Sequence, residues 1–237
     1  MKRLVMLVVL MGALQMSAQS NEALIAHFEA YAKQMRLQGD IQGVINAMTH
    51  LNVLAPSEAR KDTLAYIYMT EGQYMQALNT IGIDKKIDDS DIAVEVKAMS
   101  LKAVKQPQRA LEHFDEIFKR QPSAPLAYEL AELNLQLQNV DAALTHINYG
   151  LANAKPDMKW TFYEQQQPYQ VDLKSAFMYL NALQVYQKDR KNNLDAAMDI
   201  LDATLKNAPN FNMVQLTKNQ LLRQKQAMQV QAAEPKQ

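Results

Sequence analysis

Apolar and small side chains along this chain recur at two spacings at once. Over short distances they fall at i, i+3, i+4 and i+7, as Leu64, Ala65 and Tyr68 do, and then Tyr74, Ala77, Leu78 and Ile81. That is the stripe of an amphipathic helix. Over longer distances the stripe repeats every 33 residues. Ala32, Ala65, Ala98 and Ala131 are one period apart, and so are Ile45, Leu78, Leu111 and Leu144. Ala77, Ala110 and Ala143 keep step, with Val44 in the first copy. A fixed period of this size is the signature of a stacked repeat.

Each copy predicts two helices and a turn. In the copy from residue 57 to residue 89, Ser57 is placed to cap the first helix, its hydroxyl accepting from a free amide of the first turn. Ser90 and Ser123 recur in the same place. Gly72 breaks the run and permits a tight turn, as Gly39 does one copy earlier. Small residues such as Ala65 and Ala77, or Ala98 and Ala110, face each other and let two helices approach closely. Pro56, Pro122 and Pro156 close copies, because proline cannot continue a helix.

After Pro156 the period slips. The next alanine at the helix-facing site is Ala182, 18 residues late. An insertion is therefore expected over 157–174, holding Trp160, Phe162, Tyr163 and Tyr169. The pattern resumes with Phe177, Met178, Ala182, Val185 and Tyr186, and Ala197, Leu201 and Leu205 form the partner helix. Phe211 to about Met228 is polar-rich and suits a helix that covers the end of a stack. Residues 230–237 are expected to form a disordered tail.

The run Leu64, Ala65, Tyr68, Gly72, Tyr74, Ala77 and Ile81 resembles the tetratricopeptide repeat, and Ala110, Phe114 and Pro122 match its second half. The similarity covers roughly residues 22 to 229. The family's first Trp is absent, and Lys61 occupies that site in the second copy. The resemblance implies an all-α, right-handed helical-hairpin solenoid of about five helix pairs plus a capping helix. The expected division is 1–19, a leader; 20–156, four repeats; 157–174, the aromatic insertion; and 175–229, a fifth repeat and the cap.

The leader is a different object. Lys2 and Arg3 precede the apolar run Leu4 to Leu14, followed by the small polar exit Gln15 to Gln19. This describes a secretory signal peptide, cleaved between Ala18 and Asn21. Its eleven apolar residues are too few to span a bilayer, which takes about 20. An uncleaved N-terminal anchor is the competing reading. The expected location is exported, in the periplasm, with no membrane insertion after cleavage.

Charge excludes one class of partner. Without Lys2 and Arg3 the 25 basic residues become 23, against 25 acidic ones, which is no footprint for nucleic acid. There is no cysteine, so disulfides, thiol catalysis and zinc–thiolate sites are excluded. Six glycines form no phosphate-binding loop, and the four histidines show no zinc-protease spacing. Asp84, Asp88 and Glu95 match the first, fifth and last positions of a calcium loop. Lys86 and Asp89 stand where a ligand and the turn glycine belong, so Ser90 and Asp91 are read as a helix cap instead. No cofactor, metal or catalytic group is expected.

What remains is the outward stripe of each first helix. It consists of Glu29, Lys33 and Arg36; Asp62, Tyr66 and Met69; Glu95, Met99 and Lys102; and Tyr128, Glu132 and Leu135. The family resemblance implies that such stripes line a concave groove. Trp160, Phe162 and Tyr163 of the insertion either plug the protein's own groove, which is the favoured reading, or meet a partner. The expected function is a non-enzymatic scaffold or adaptor for a protein or peptide. The alternatives are a self-associating structural subunit of an envelope complex, as a homo-oligomer, and a solenoid hydrolase or sugar-binding protein.

Overall fold

The computed structural model describes residues 21–233. The expected leader at 1–19 and the last four residues of the expected tail, 234–237, lie outside the described residues. Among those described there are eleven helices and one two-stranded hairpin. None of these helices is long and apolar enough to cross a membrane.

The first compact unit extends to Gln106 and the second from Pro107. In the first, α1 spans 21–38, α2 Ile41–Leu54, α3 Glu58–Thr70, α4 Tyr74–Ile81 and α5 Asp91–Ala103. The serine caps form as the spacing requires. Ser57 Oγ accepts from the amide of Arg60, and Ser90 Oγ from that of Ala93. The core is built from Val44, Ile45, Met48, Leu51 and Leu64, then from Ala65, Ala77 and Val96.

One copy departs from this apolar rule. Leu64, Lys97 and Leu130 are equivalent positions, and all three are buried. Lys97 is 0% exposed. Its ammonium lies 2.6 Å from both carboxylate oxygens of Asp89 and donates at 2.9 Å to the carbonyl of Asp84. The acidic loop between α4 and α5 is thus folded over a buried cation.

The second unit holds α6 Pro107–Arg120, α7 Ala124–Gln136, α8 Val140–Asn153, β1 Lys159–Phe162, β2 Tyr169–Asp172, α9 Leu173–Lys188, α10 Leu194–Asn207 and α11 Asn212–Ala233. The insertion, read as an irregular aromatic segment in an all-α chain, is an antiparallel hairpin. Trp160 pairs with Val171 and Phe162 with Tyr169, so these side chains share one face, while Lys159, Thr161, Gln170 and Asp172 share the other. Aromatic and β-branched residues suit such a half-buried ribbon. Strands of four residues are too short for their alternation to stand out in the sequence. Helix α11 continues past Met228, so residues 230–233 of the expected tail are helical.

Four first helices end in the same way. Gly39, Gly72, Lys105 and Gln138, each 33 residues apart, have φ of 73°, 72°, 60° and 62°. The amide after each reaches back five residues: Asp40 to Met35, Gln73 to Tyr68, Gln106 to Leu101 and Asn139 to Asn134, at 2.8–2.9 Å. This is the Schellman closure, which satisfies carbonyls the helix leaves open. Glycine takes the left-handed residue twice. Lysine and glutamine are held there at a cost of about 1 kcal/mol each.

The alanines at the repeat's small sites are buried. Ala65, Ala77, Ala98, Ala110, Ala131 and Ala143 are all 0% exposed. Ala98→Leu is expected to overpack its site and destabilise the protein by roughly 1–3 kcal/mol. Ala103→Leu, on the exposed end of α5, is expected to cost much less. Thermal melts of the two variants compare them, and coincident curves would overturn the assigned register.

Candidate functional site

In the first unit the stripe of α1 is exposed at Glu29, Lys33 and Arg36. Glu29 is tied to α3, its carboxylate lying 3.3 Å from the Arg60 guanidinium. On α3, Tyr66 is 41% exposed and Met69 half-buried. Asp62 does not belong to this surface. It is buried, and its carboxylate accepts from Ser90 Oγ at 2.6 Å. Helical spacing places Asp62 on the same face as Tyr66, but the start of α5 covers that end of the face. On α5, Glu95 and Met99 are exposed and Lys102 is half-buried.

Met69, Met99 and Lys102 come together around a cleft of about 440 Å³, completed by Thr70, Tyr74 and Ala103. Tyr74 was legible only as an inward residue of the repeat; its place at the first residue of α4 also puts it on the cleft wall. Thioether and phenol walls adapt to many apolar side chains, and the single lysine adds one positive charge.

In the second unit the stripe is covered. Tyr128 is 1% exposed and Leu135 3%, which removes both from any free surface. The cause is the hairpin. The Trp160 ring lies on Tyr128 with centroids 4.2 Å apart, and Phe177 of α9 meets Tyr128 edge-on at 5.5 Å. Burial pushes the Tyr128 phenol well above its ordinary pKa. Phe162 is buried against Phe211, at 4.7 Å. Trp160 is half-buried and Tyr163, at the loop, 75% exposed. Of the insertion's aromatics that were candidates for a partner, two pack on the protein itself and Tyr163 stays in solvent. Glu132 is half-buried.

The hairpin is latched to the start of α11. The Tyr169 hydroxyl donates to the Glu164 carboxylate and accepts from the Met213 amide at 3.1 Å, and Asn212 Nδ2 donates to Glu164 at 3.3 Å. Desolvation, then the Glu164 hydrogen bond, raise the Tyr169 pKa. Between this latch and α7 and α9 lies a second cleft of about 340 Å³, walled by Phe162, Tyr179, Leu180, Leu183 and Met213, with Glu132 among its lining.

Because Trp160 rests on Tyr128, its emission is expected to be blue-shifted and poorly quenched by acrylamide in the native protein, moving to the red on unfolding. Steady-state fluorescence checks this, and a red, readily quenched native spectrum would contradict the packing.

The histidines pack as rings. His50 stacks on Phe28 at 4.3 Å, His27 meets Phe28 edge-on at 5.5 Å, and His146 meets Phe118 at 5.3 Å. Burial lowers the His146 pKa. Among the described residues no three His, Cys, Asp or Glu side chains lie close enough together to hold a metal.

No family model matches the sequence, and no curated protein matches it. Solved structures do. A tetratricopeptide repeat protein from Parabacteroides merdae superposes with a TM-score of 0.57 at 17% identity, over 86% of this chain and 72% of that one. The MamA protein superposes with a TM-score of 0.56 at 15% identity, over 78% of this chain and 91% of that one. The chain therefore has the all-α helical-hairpin fold of tetratricopeptide repeat proteins.

Proposed function

We propose that this repeat fold serves as an exported scaffold or adaptor that binds a protein or peptide and does no chemistry of its own. The observation that carries the reading is the first unit's stripe. Tyr66 and Met99 remain 41% and 40% exposed there, and Met69 and Met99 wall an open cleft. Large apolar side chains clustered on a rigid helical face are characteristic of contact surfaces. The Met69–Met99 cleft suits an apolar side chain carried by the bound segment.

Binding is tested by pull-down from the periplasmic fraction of the native host. Proteins retained by the wild type and by Val53→Glu, a substitution on the exposed face of α2, are expected to be lost with Met99→Glu. An unchanged set in all three would overturn the role of the stripe. Export rests on the charged, apolar and small-residue order of Lys2 to Gln19. Intact mass of protein from that host is expected to give a chain starting between Gln19 and Asn21. Full-length protein in the membrane pellet would overturn it.

A further inference from the structure

Helix α1 leaves open a face that the later copies bury. At the position of Tyr31 the following copies carry Leu64, Lys97 and Leu130, and at that of Gln34 they carry Ile67, Ser100 and Leu133. Ile67 is half-buried and the other five are buried. Leu64 shows what covers such a face: it packs on Val44, Ile45, Met48 and Leu51 of the pair before it. On α1 itself Ile25, Phe28 and Met35 pack on that core from another side of the helix. Tyr31 stays 37% and Leu24 40% exposed, and His27, Gln34 and Gln38 lie exposed beside them.

The chemistry of this stripe narrows its occupant. All four acidic or basic residues of α1, Glu22, Glu29, Lys33 and Arg36, fall on the opposite side of the helix. Leu24 and Gln38 flank Tyr31 at seven residues on each side, with His27 and Gln34 between, so the stripe runs much alike in both directions from Tyr31. Two-fold association sets a surface against its own copy, where a charged stripe would meet its own charge. This stripe carries none, and a tyrosine at its centre brings a large ring and a hydroxyl that can stay wet. A head-to-tail stack would need a second apolar stripe to receive α1. The last helix, α11, offers none, because Asn219, Gln220, Arg223 and Gln226 are exposed between Leu216 and Val230. With the leader removed, as proposed above, α1 opens the mature chain and no earlier repeat of that chain covers the stripe. We propose that α1 is a self-association face, on which two copies pair antiparallel about a two-fold axis at Tyr31. The inference rests on removal of the leader and is independent of what the first unit's cleft binds. A helix of this length is about 27 Å long and about 10 Å wide. That footprint is well below the roughly 800 Å² per partner of a standard interface, so the pair is a reversible one.

The test is sedimentation velocity on the mature chain purified from its native host, at concentrations up to about 1 mM. The mass is expected to rise reversibly from one chain to two. Tyr31→Glu should raise the dissociation constant at least about tenfold, because two carboxylates then face each other at the axis. Val53→Glu, on the exposed face of α2, should leave it unchanged. The chain has no cysteine, so single cysteines report the register. Tyr31→Cys is expected to cross-link to its own copy under mild oxidation, and Val53→Cys is not. Leu24→Cys mixed with Gln38→Cys should cross-link to each other in preference to themselves. These cross-links decide the case even where Tyr31→Glu fails to fold. A mass that stays at one chain throughout, equal association of the two glutamate variants, or cross-linking at Val53→Cys as ready as at Tyr31→Cys would overturn the pairing. Intact mass of the same sample separates the two readings. A chain that keeps its leader would overturn both, and a monomer starting between Gln19 and Asn21 would overturn this one alone.

Discussion

Replacing Asp89 with alanine is expected to destabilise the protein by about 3–5 kcal/mol, because it strands a buried ammonium without its counter-ion. Lys97 is 0% exposed and sits 2.6 Å from both Asp89 oxygens. The Asp84 carbonyl remains after the substitution but carries no full charge. Denaturant unfolding measures the loss. The double variant Asp89→Ala with Lys97→Met is expected to recover a large part of it, since an apolar side chain at this position restores what Leu64 and Leu130 do in the neighbouring copies. A single variant within about 0.5 kcal/mol of the wild type, the range of an ordinary surface change, would show that the ammonium reaches water.

Gly150→Ala is expected to cost about 3 kcal/mol, although alanine is the better helix former by about 1 kcal/mol. The reason is Phe177. A methyl group built on Gly150 would lie 1.9 Å from the ring's Cζ and 2.2–2.3 Å from its Cε atoms. The ring is 0% exposed and cannot swing away. Gly43 makes a useful contrast. There the added methyl would meet the Met35 side chain at 2.6–2.7 Å and the Asp40 carboxylate at 2.7 Å, and a flexible thioether and the tip of a capping side chain can give way. Gly43→Ala should therefore cost clearly less than Gly150→Ala. Thermal melts of the two variants separate the cases, and equal losses would contradict a rigid Phe177.

Much of this fold is legible in the sequence because a repeat states its rule several times. Four alanines at one spacing, three serine caps and two turn glycines agree with each other, and the helices follow them. The exceptions to the rule were harder to use. Lys97 occupies a position that is leucine one copy before and one copy after, and the chain just ahead of it is rich in aspartate. That combination was the available signal for a buried ion pair, yet the acids alone suggested only a calcium loop or a helix cap. Gly150 stands where the earlier copies carry Leu51, Asp84 and Ile117, and the loss of a side chain there marks a site of close approach without saying what approaches.

The candidate surface was legible in part, for a different reason. Helical spacing fixes which residues of one helix share a face, Met99 with Lys102 on α5 and Met69 with Tyr66 on α3, and the structure brings Met69, Met99 and Lys102 to one cleft. It does not say what will land on that face. Tyr128 was lost to the hairpin and Asp62 to the start of α5, and both covers come from elsewhere in the chain. The second cleft was out of reach, since Leu183 and Met213 lie about one repeat apart and meet across a hairpin whose strands are too short to announce themselves.

The left-handed turns also bear on the order in which the chain assembles. A glycine visits that conformation readily before any tertiary contact exists, so the loops at Gly39 and Gly72 close without the steric cost a side chain adds at positive φ. Lys105 and Gln138 avoid it until packing compels them. Nucleation is therefore expected to favour the first two helix pairs, where the local preference already agrees with the native turn. The turns at Lys105 and Gln138 are expected to close later, driven by apolar burial around Leu101 and Leu135 rather than by the residues at the bend.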